Sequence, residues 1–360
     1  MGSHIQRRSI ALGSSKAVAF TSHGAIAKVL KVHTYELPEL LPENIMLKMM
    51  AAPINPSDIN VIEGTYPVKP EFRDFGAIPG NEGVGQIIAI GNKVENFRIG
   101  DWVIPCNSGF GTWQTMVVTD AEHIQKLPDC TAISPILAAT ISINPLTAYR
   151  MLKDFVSLKP GDVIMQNSSN SAVGQAVIQL AHAWGFKTVN VVRNKFPVNL
   201  LRPDIEDLRT KLHRLGADMV VTENEIRDAK VAAQIARLGP ARLALNGVGG
   251  KSATNIARLL VDNGVIVTYG GMSREPVIIP TSLYIFKNLQ SRGFWLNKWK
   301  ILNPVSAQIE MISEIFALAK NGGFVEPFHK TINLNDASFE QILNFVQKSG
   351  TAQKHVFVCS

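Results

Sequence analysis

Cysteine is scarce in this chain. Cys106, Cys130 and Cys359 are the three cysteines among 360 residues, and they stand far apart. A disulfide framework needs a denser set, so the composition favours a reducing compartment. A zinc site built from four thiolates is also excluded. No uninterrupted apolar run reaches the roughly 18 to 20 residues that a membrane-spanning helix requires, so no membrane span is expected.

Acidic residues are missing from the start of the chain, where Glu36 is the first. Arg7, Arg8 and Lys16 accompany several serines there, a composition typical of the tail of a mitochondrial transit peptide. The leading Met-Gly-Ser-His resembles a tag remnant. Residues 1–15 are therefore interpreted as tag remnant and transit-peptide tail, which predicts a mitochondrial location. An ordinary basic terminus has the same composition.

The formal charge of +7 and the pI near 9.3 favour acidic partners such as phosphates. The basic residues are scattered, and no zinc-knuckle, RNP-like or basic-zipper pattern gathers them on one face. No nucleic-acid partner is therefore expected.

Two domains are expected from the length and from a change in sequence pattern. From Lys16 to about Asp129, short alternating runs between Gly and Pro predict a β-rich domain. After about Ser134, strand patterns alternate with helical patterns. The expected strands are 162–166, 187–192, 219–222, 241–246 and 265–270, and the expected helices include 224–239 and 252–264, the latter stopped by Gly264. Regular alternation of this kind predicts a doubly wound α/β domain with a parallel sheet.

A strand, a turn and a helix are predicted in VIMQNSSNSAVGQAVIQLA, residues 163–181. In a dinucleotide site, such a turn presents N–H groups and a helix N-terminus to the pyrophosphate. Gly174 is the single glycine here, so the cradle would be formed by Asn170, Ser171, Ala172 and Val173. A polar connection between two buried elements has the same pattern.

Basic residues follow the next predicted strand. Arg193, Asn194 and Lys195 stand where an acidic residue would bind the ribose of NADH. Arginine and lysine instead bind a 2′-phosphate, so NADPH is the expected cofactor. Solvated loop cations are the alternative.

A second glycine cluster, NGVGGKS, invites comparison with a phosphate-binding P-loop. Leu245 occupies the place of the first glycine of that motif, so an ATPase is not favoured. Gly247, Gly249 and Gly250 are interpreted as a turn lining the cofactor crevice.

The chain resembles the medium-chain dehydrogenase/reductase superfamily in NPSDINVIEGTYPVKP, PGNEGVGQ and GDWVIP. This resemblance implies an α/β fold of two domains. Residues 16–143 with 301–360 would form a GroES-like β-barrel catalytic domain, and residues 144–300 a Rossmann domain with a doubly wound parallel sheet. Zinc-dependent members carry Cys and His where this chain has Asn55 and Asn81, and carboxamides do not replace those ligands. A reductase without a metal is expected.

Within the superfamily, the chain is similar to the mitochondrial trans-2-enoyl-thioester reductases of type II fatty acid synthesis. The similarity is carried by EGTYP, GNEGVG, INPLTAYRML, NSSNSAVGQAVIQ, VTYGGM and RGFWLNKW. It implies NADPH-dependent reduction of trans-2-enoyl-CoA or enoyl-acyl carrier protein by a homodimer. A zinc-free NADPH quinone or alkenal reductase has the same fold and remains the alternative. A non-enzymatic nucleic-acid or regulatory module is a rival from another class.

The same resemblance assigns roles to further residues. Tyr66 would be the catalytic proton donor, since a phenol stays protonated at neutral pH. The cofactor crevice would be lined by Asn144, Tyr269, Gly270, Gly271, Met272, Phe294, Trp295, Leu296 and Lys354. The family pattern RDRPD is replaced here by RNKFPVNLLRPD. This insertion leaves open whether Lys195 or Arg202 is the second contact to the 2′-phosphate.

Overall fold

The computed structural model describes residues 13–68, 70–193, 205–349 and 353–359. The chain divides into two compact units, Met1–Ser142 with Phe328–Ser360, and Ile143–Pro327. In the described part of the chain, every helix is too short or too polar to cross a bilayer.

The first unit is built from β-strands, as the alternating runs predicted. A seven-stranded sheet has the order β14-β15-β3-β4-β5-β7, with β6 also paired to β3, and β1 and β2 form a separate antiparallel pair. The strands of the first unit are β1 (Ser14–Phe20), β2 (Leu30–Glu36), β3 (Asn44–Pro53), β4 (Val84–Ile90), β5 (Trp102–Pro105), β6 (Met116–Asp120), β7 (Ile124–Lys126), β14 (His329–Asn333) and β15 (Lys354–Val358). Its helices are α1 (Ile26–Val29), α2 (Pro56–Glu63), α3 (Pro135–Thr140) and α12 (Phe339–Gln347).

The C-terminal segment completes the core of this unit. Phe357 on β15 packs edge-on against the buried Trp113, with ring centroids 5.4 Å apart. The indole N–H of Trp113 donates to the Pro53 carbonyl at 3.2 Å. Burying two large aromatic rings from distant parts of the chain helps to fix β15 beside β3.

The second unit has a six-stranded parallel sheet of order β10-β9-β8-β11-β12-β13. Its strands are β8 (Val163–Gln166), β9 (Lys187–Val192), β10 (Met219–Thr222), β11 (Ala241–Asn246), β12 (Val265–Thr268) and β13 (Gln290–Gly293). Its helices are α4 (Asn144–Asp154), α5 (Ala172–Ala183), α6 (Ile205–Arg214), α7 (Ala229–Leu238), α8 (Gly250–Arg258), α9 (Thr281–Lys287), α10 (Leu296–Leu302) and α11 (Val305–Lys320). In chain order this is 3-2-1-4-5-6, the doubly wound arrangement that binds dinucleotides where the strand order reverses.

The observed division corrects the predicted domain boundaries. Residues 301–327 belong to the second unit, and the chain returns to the first at Phe328. Helix α11 stays in the second unit because the Glu314 carboxylate accepts from Tyr149 Oη at 2.6 Å and from Trp184 Nε1 at 3.1 Å. At the other end, β1 already begins at Ser14, so the first unit starts before the predicted residue 16.

Two helix predictions also need correction. The segment 224–239, expected as one helix, contains a short 3-10 turn and then α7, because the Asp228 carboxylate caps the Lys230 N–H at 2.8 Å and starts a new helix. The helix expected to stop at Gly264 ends at Arg258, and Asn263 rather than Gly264 has the positive φ, 60°.

Candidate functional site

The turn between β8 and α5 brings the helix start against the end of the first strand. The Ser171 hydroxyl caps the helix by accepting the Gly174 N–H at 3.1 Å. A Cβ on Gly174 would lie 2.5 Å from the Ser169 carbonyl oxygen. Glycine is therefore required here for close approach of backbone to backbone, which is the role expected for Gly174.

The first turn of α5 offers donors to an anion. The N–H groups of Ala172 and Val173 open the helix and, within the described part of the chain, donate to no acceptor. The helix has 12 residues, so its dipole adds positive potential at the same place. Asn170 lies beside them, half-buried like Ser171 and the two helix residues. These four residues therefore form a site that fits a pyrophosphate.

Arg193 lies at the carboxyl end of β9, the strand next to β8. Its side chain is exposed and, among the described residues, forms no hydrogen bond or ion pair. It is thus available for a phosphate on the adenosine ribose. Asn194, Lys195 and Arg202 lie outside the described residues.

The second glycine turn has a different character. Asn167 Oδ1 accepts the Gly247 N–H at 2.7 Å, and Asn246 Oδ1 accepts the next two N–H groups at 3.2 and 3.0 Å. The Gly250 N–H donates to the Pro276 carbonyl at 3.1 Å. All four N–H groups of this turn are used inside the protein, so it does not hold phosphate as a P-loop would.

Tyr269 follows β12 and lies beside both turns. A Cβ on Gly247 would lie 2.7 Å from Tyr269 Oη. Burial raises the pKa of Tyr269 to about 12, and the neighbouring Ser171 hydroxyl opposes this shift. The buried phenol oxygen forms no hydrogen bond of normal geometry with any described residue. The structure therefore brings together Ser171, Gly247 and Tyr269, three residues that are far apart in sequence.

The remaining residues predicted for the cofactor crevice differ in exposure. Asn144 begins α4 and is buried, Phe294 is half-buried with its ring edge-on to Phe155, and Leu296 is buried. Trp295 is 41% exposed. Gly270 lies next to Gly247, whereas Gly271 and Met272 are exposed beyond it.

A buried polar cluster in the first unit occupies the places of the two missing zinc ligands. Asn55 Nδ2 donates to Glu82 Oε1 at 2.7 Å, and Asn55 Oδ1 accepts from the Lys354 ammonium. Asn81 donates through both its backbone and its side chain to the Asp58 carboxylate. Asn81 Oδ1 accepts the Gly109 N–H at 2.8 Å, so both carboxamide oxygens are already engaged. Carboxamides beside an ammonium group do not form a zinc site.

The ionisable groups of this cluster are two acids, Asp58 and Glu82, and one ammonium group, that of Lys354. Lys354 Nζ lies 3.8 Å from Glu82 Oε1, with side chains 7% and 0% exposed. Burial lowers the pKa of Lys354, and both Glu82 and Asp58 oppose this shift. Burial also raises the pKa of Asp58 to about 7, against hydrogen bonds from Asn55 and Asn81 that favour its ionised form. Lys354, expected as a cofactor contact, is engaged here with Asn55 and Glu82.

Tyr66 lies just beyond α2, the helix that carries Asp58. The helix ends at Gly64, where a φ of 78° turns the chain, and Tyr66 is two residues further along. Its ring is half-buried against the core of the first unit. Tyr66 stays a prediction. The sequence singled out Asn55, Asn81 and Lys354 separately, but it gave no signal that Asp58 and Glu82 join them in one buried cluster.

Comparison with known proteins places this architecture. The model of the alcohol dehydrogenase GroES-like domain matches residues 41–129, and the model named zinc-binding dehydrogenase matches residues 172–317. The mitochondrial enoyl-[acyl-carrier-protein] reductase of Rattus norvegicus is 44% identical over 341 residues, which cover 95% of this chain and 88% of that protein. The chain belongs to the mitochondrial enoyl-[acyl-carrier-protein] reductase family.

Solved structures agree with this membership. The Etr1p/NADP/crotonyl-CoA complex superposes with a TM-score of 0.88 at 34% identity, covering 96% of this chain and 100% of that one. The Etr1p/Etr2p heterodimer of Candida tropicalis gives 0.87 at 35% identity, with the same coverage. The predicted family and the predicted pairing of a GroES-like with a Rossmann domain are confirmed. The model named zinc-binding dehydrogenase matches residues 172–317, so its name says nothing about Asn55 and Asn81.

Proposed function

We propose that this protein reduces trans-2-enoyl thioesters, carried on CoA or on acyl carrier protein, to saturated acyl thioesters with NADPH. The mitochondrial location follows from the same relatives and accords with the basic N-terminal composition. The reductase of the same name in Rattus norvegicus and the NADP and crotonyl-CoA bound to Etr1p support the substrate and the cofactor.

The start of α5 is the observation that carries the proposal. The N–H groups of Ala172 and Val173, which donate to no described residue, point to a pyrophosphate. Arg193, one strand away and without a partner among the described residues, favours a 2′-phosphate. NADPH has both groups. When bound there, it would supply hydride to C3 of the substrate.

Tyr66 is the proposed proton donor. Hydride arriving at C3 of an unsaturated thioester leaves negative charge on C2 and on the thioester oxygen. A neutral phenol at either position stabilises that charge and delivers the proton to C2. The carboxamides of Asn55 and Asn81 are not zinc ligands, so the polarisation of the thioester is assigned to hydrogen-bond donors of the chain.

Turnover of a medium-length trans-2-enoyl-CoA, followed by NADPH absorbance, tests this function. We expect turnover with NADPH, weak use of NADH, and no comparable rate with a quinone or an alkenal as acceptor. Tyr66→Phe should lower the rate by about 10²–10⁴-fold, the usual contribution of a positioned acid. A preference for the quinone would refute the thioester assignment, and full activity of Tyr66→Phe would remove Tyr66 as the donor.

A second copy of this chain is the proposed partner at the edge of the parallel sheet. Strand β13 is an edge strand with all four residues exposed. On α9, which precedes it, Ile285 and Phe286 are 66% and 78% exposed. An open strand beside apolar side chains favours pairing with a copy of itself about a two-fold axis. Etr1p and Etr2p also associate in pairs.

The state of assembly can be measured by sedimentation equilibrium. The wild-type protein should be a dimer, and Ile285→Glu with Phe286→Glu should produce a folded monomer. The matched control is Ile99→Glu, an equally exposed apolar residue of the first unit, which should leave the dimer intact. A dimer that survives the paired charges on α9 would place the interface elsewhere.

A further inference from the structure

Two buried asparagines connect the ends of neighbouring strands in the second unit. Asn167 follows β8 and Asn246 ends β11, and neither is exposed to solvent. Asn167 Nδ2 donates to Asn246 Oδ1 at 2.8 Å and to Ser252 Oγ at 3.0 Å, while its oxygen accepts the Gly247 N–H. Because both ends of the carboxamide are bonded, its orientation is fixed.

Gly247 is held from the other side by the end of β12. A Cβ on Gly247 would lie 2.7 Å from Tyr269 Oη, and one on Gly270 would lie 3.2 Å from the Gly247 carbonyl oxygen. The Tyr269 N–H donates to the Asn246 carbonyl at 3.0 Å. Asn167 thus bonds to Gly247, and Gly247 packs against Tyr269, so the three residues are in series.

This series lies on one side of the cofactor crevice. In the strand order of this sheet, β9 and β10 lie on one side of β8, and β11 and β12 lie on the other. A dinucleotide spans the point where the order reverses, with its adenosine ribose beside the strand that follows the pyrophosphate turn. Arg193, directly after β9, marks the adenosine side. Gly247 and Tyr269, which follow β11 and β12, therefore lie on the nicotinamide side.

We propose that Asn167 is a positioning residue for the nicotinamide half of the cofactor. It acts through the Gly247 turn and touches neither the substrate nor the phosphates. The proposal rests on the proposed function, because it takes NADPH as the cofactor. It assigns a specific task to a buried residue that the phosphate-binding turn itself does not require.

Isothermal titration with two ligands separates this role from a structural one. Adenosine 2′,5′-bisphosphate carries only the adenosine half, whereas NADP⁺ carries both halves. For Asn167→Ala we expect the fragment to bind within about twofold of wild type. The ratio of the NADP⁺ dissociation constant to that of the fragment should rise about tenfold, the equivalent of about 1.4 kcal/mol.

Asn190→Ala is the matched control. Asn190 is equally buried one strand away, and its carboxamide bonds to Gln166, Thr188 and the Met219 carbonyl instead of to a turn. It should leave the ratio of the two constants unchanged. Should Asn167→Ala fail to fold, Gly247→Ala provides a second variant, since its methyl group meets Tyr269 Oη and should raise the ratio in the same way.

The outcomes are distinguishable. Equal weakening of both ligands in Asn167→Ala, or an unchanged ratio in either variant, would overturn the positioning role. A rise of the ratio in Asn190→Ala as large as in Asn167→Ala would do the same. If the wild-type protein binds neither ligand, the proposed cofactor is wrong, which is a separate failure.

Discussion

Gly174→Ala tests whether the first turn of α5 must approach β8 closely. The added methyl group would lie 2.5 Å from the Ser169 carbonyl oxygen and 2.6 and 2.7 Å from its carbonyl and α carbons. All three are backbone atoms, so relief requires the helix start to move by at least about half an ångström, given that Cβ contacts below 3.0 Å are essentially never seen. Alanine favours helix by about 1 kcal/mol relative to glycine. Overpacking costs about 1–3 kcal/mol, so after the helix gain we expect a net loss of up to about 2 kcal/mol in the free energy of unfolding.

The same movement displaces the two N–H groups that open the helix. We therefore expect the NADP⁺ dissociation constant to rise by about tenfold, the equivalent of about 1.4 kcal/mol. Urea unfolding gives the stability and isothermal titration gives the affinity. The matched control is Gly323→Ala, where the nearest atom would lie 3.5 Å away, an ordinary contact. Wild-type affinity and stability in Gly174→Ala would refute the close approach as the reason for glycine.

Three further results are expected. Arg193→Ala should weaken NADPH binding by about tenfold or more and leave NADH use unchanged, measured as the ratio of kcat/KM for the two cofactors; an unchanged ratio would remove Arg193 as the phosphate contact. Burial raises the pKa of Asp58 to about 7 from an ordinary value of 3.8, so the folded state binds the proton of this carboxyl more tightly than the unfolded state does. The free energy of unfolding should therefore fall as the pH rises from about 4 to about 7. Urea unfolding across that range should show a flatter dependence in Asp58→Asn, and identical slopes would contradict this. Lys354→Met should lower the free energy of unfolding by about 3–5 kcal/mol at neutral pH, because it leaves Glu82 without its countercharge. Adding Glu82→Gln should recover much of that loss, and equal losses in the single and double variants would contradict the pairing.

The alternating pattern of the second unit was readable because parallel strands and crossover helices differ in period. Each of its first five strands agrees with the prediction within a residue or two, since a short buried strand rich in apolar residues leaves a strong local signal. Strand β13 was missed. Its residues, Gln-Ser-Arg-Gly, are exposed and polar, and only pairing with β12 makes them a strand.

Contacts between distant segments were beyond the reach of the sequence. The motif around Gly174 was identified because its residues are contiguous, whereas Asn167 and Asn246 are separated by 79 positions and look like two ordinary polar residues at strand ends. The predicted domain boundary near residue 301 differs from the observed one, at Phe328, for the same reason. Nothing in the helical pattern of α11 reveals that Glu314 would bond to Tyr149 and Trp184.

The buried cluster of the first unit stands where the resemblance puts the zinc ligands of other superfamily members. A divalent cation beside Asp58 and Glu82 would neutralise both acids; here a single ammonium, from Lys354, provides the positive charge. Two buried acids then share one positive charge, and burial, the main cause, raises the pKa of Asp58 despite the nearby ammonium. Lys354 comes from β15, near the end of the chain, and Asn55 stands at the start of α2. The ammonium therefore joins the C-terminal strand to the helix that precedes Tyr66, a connection that neither carboxamide makes by itself.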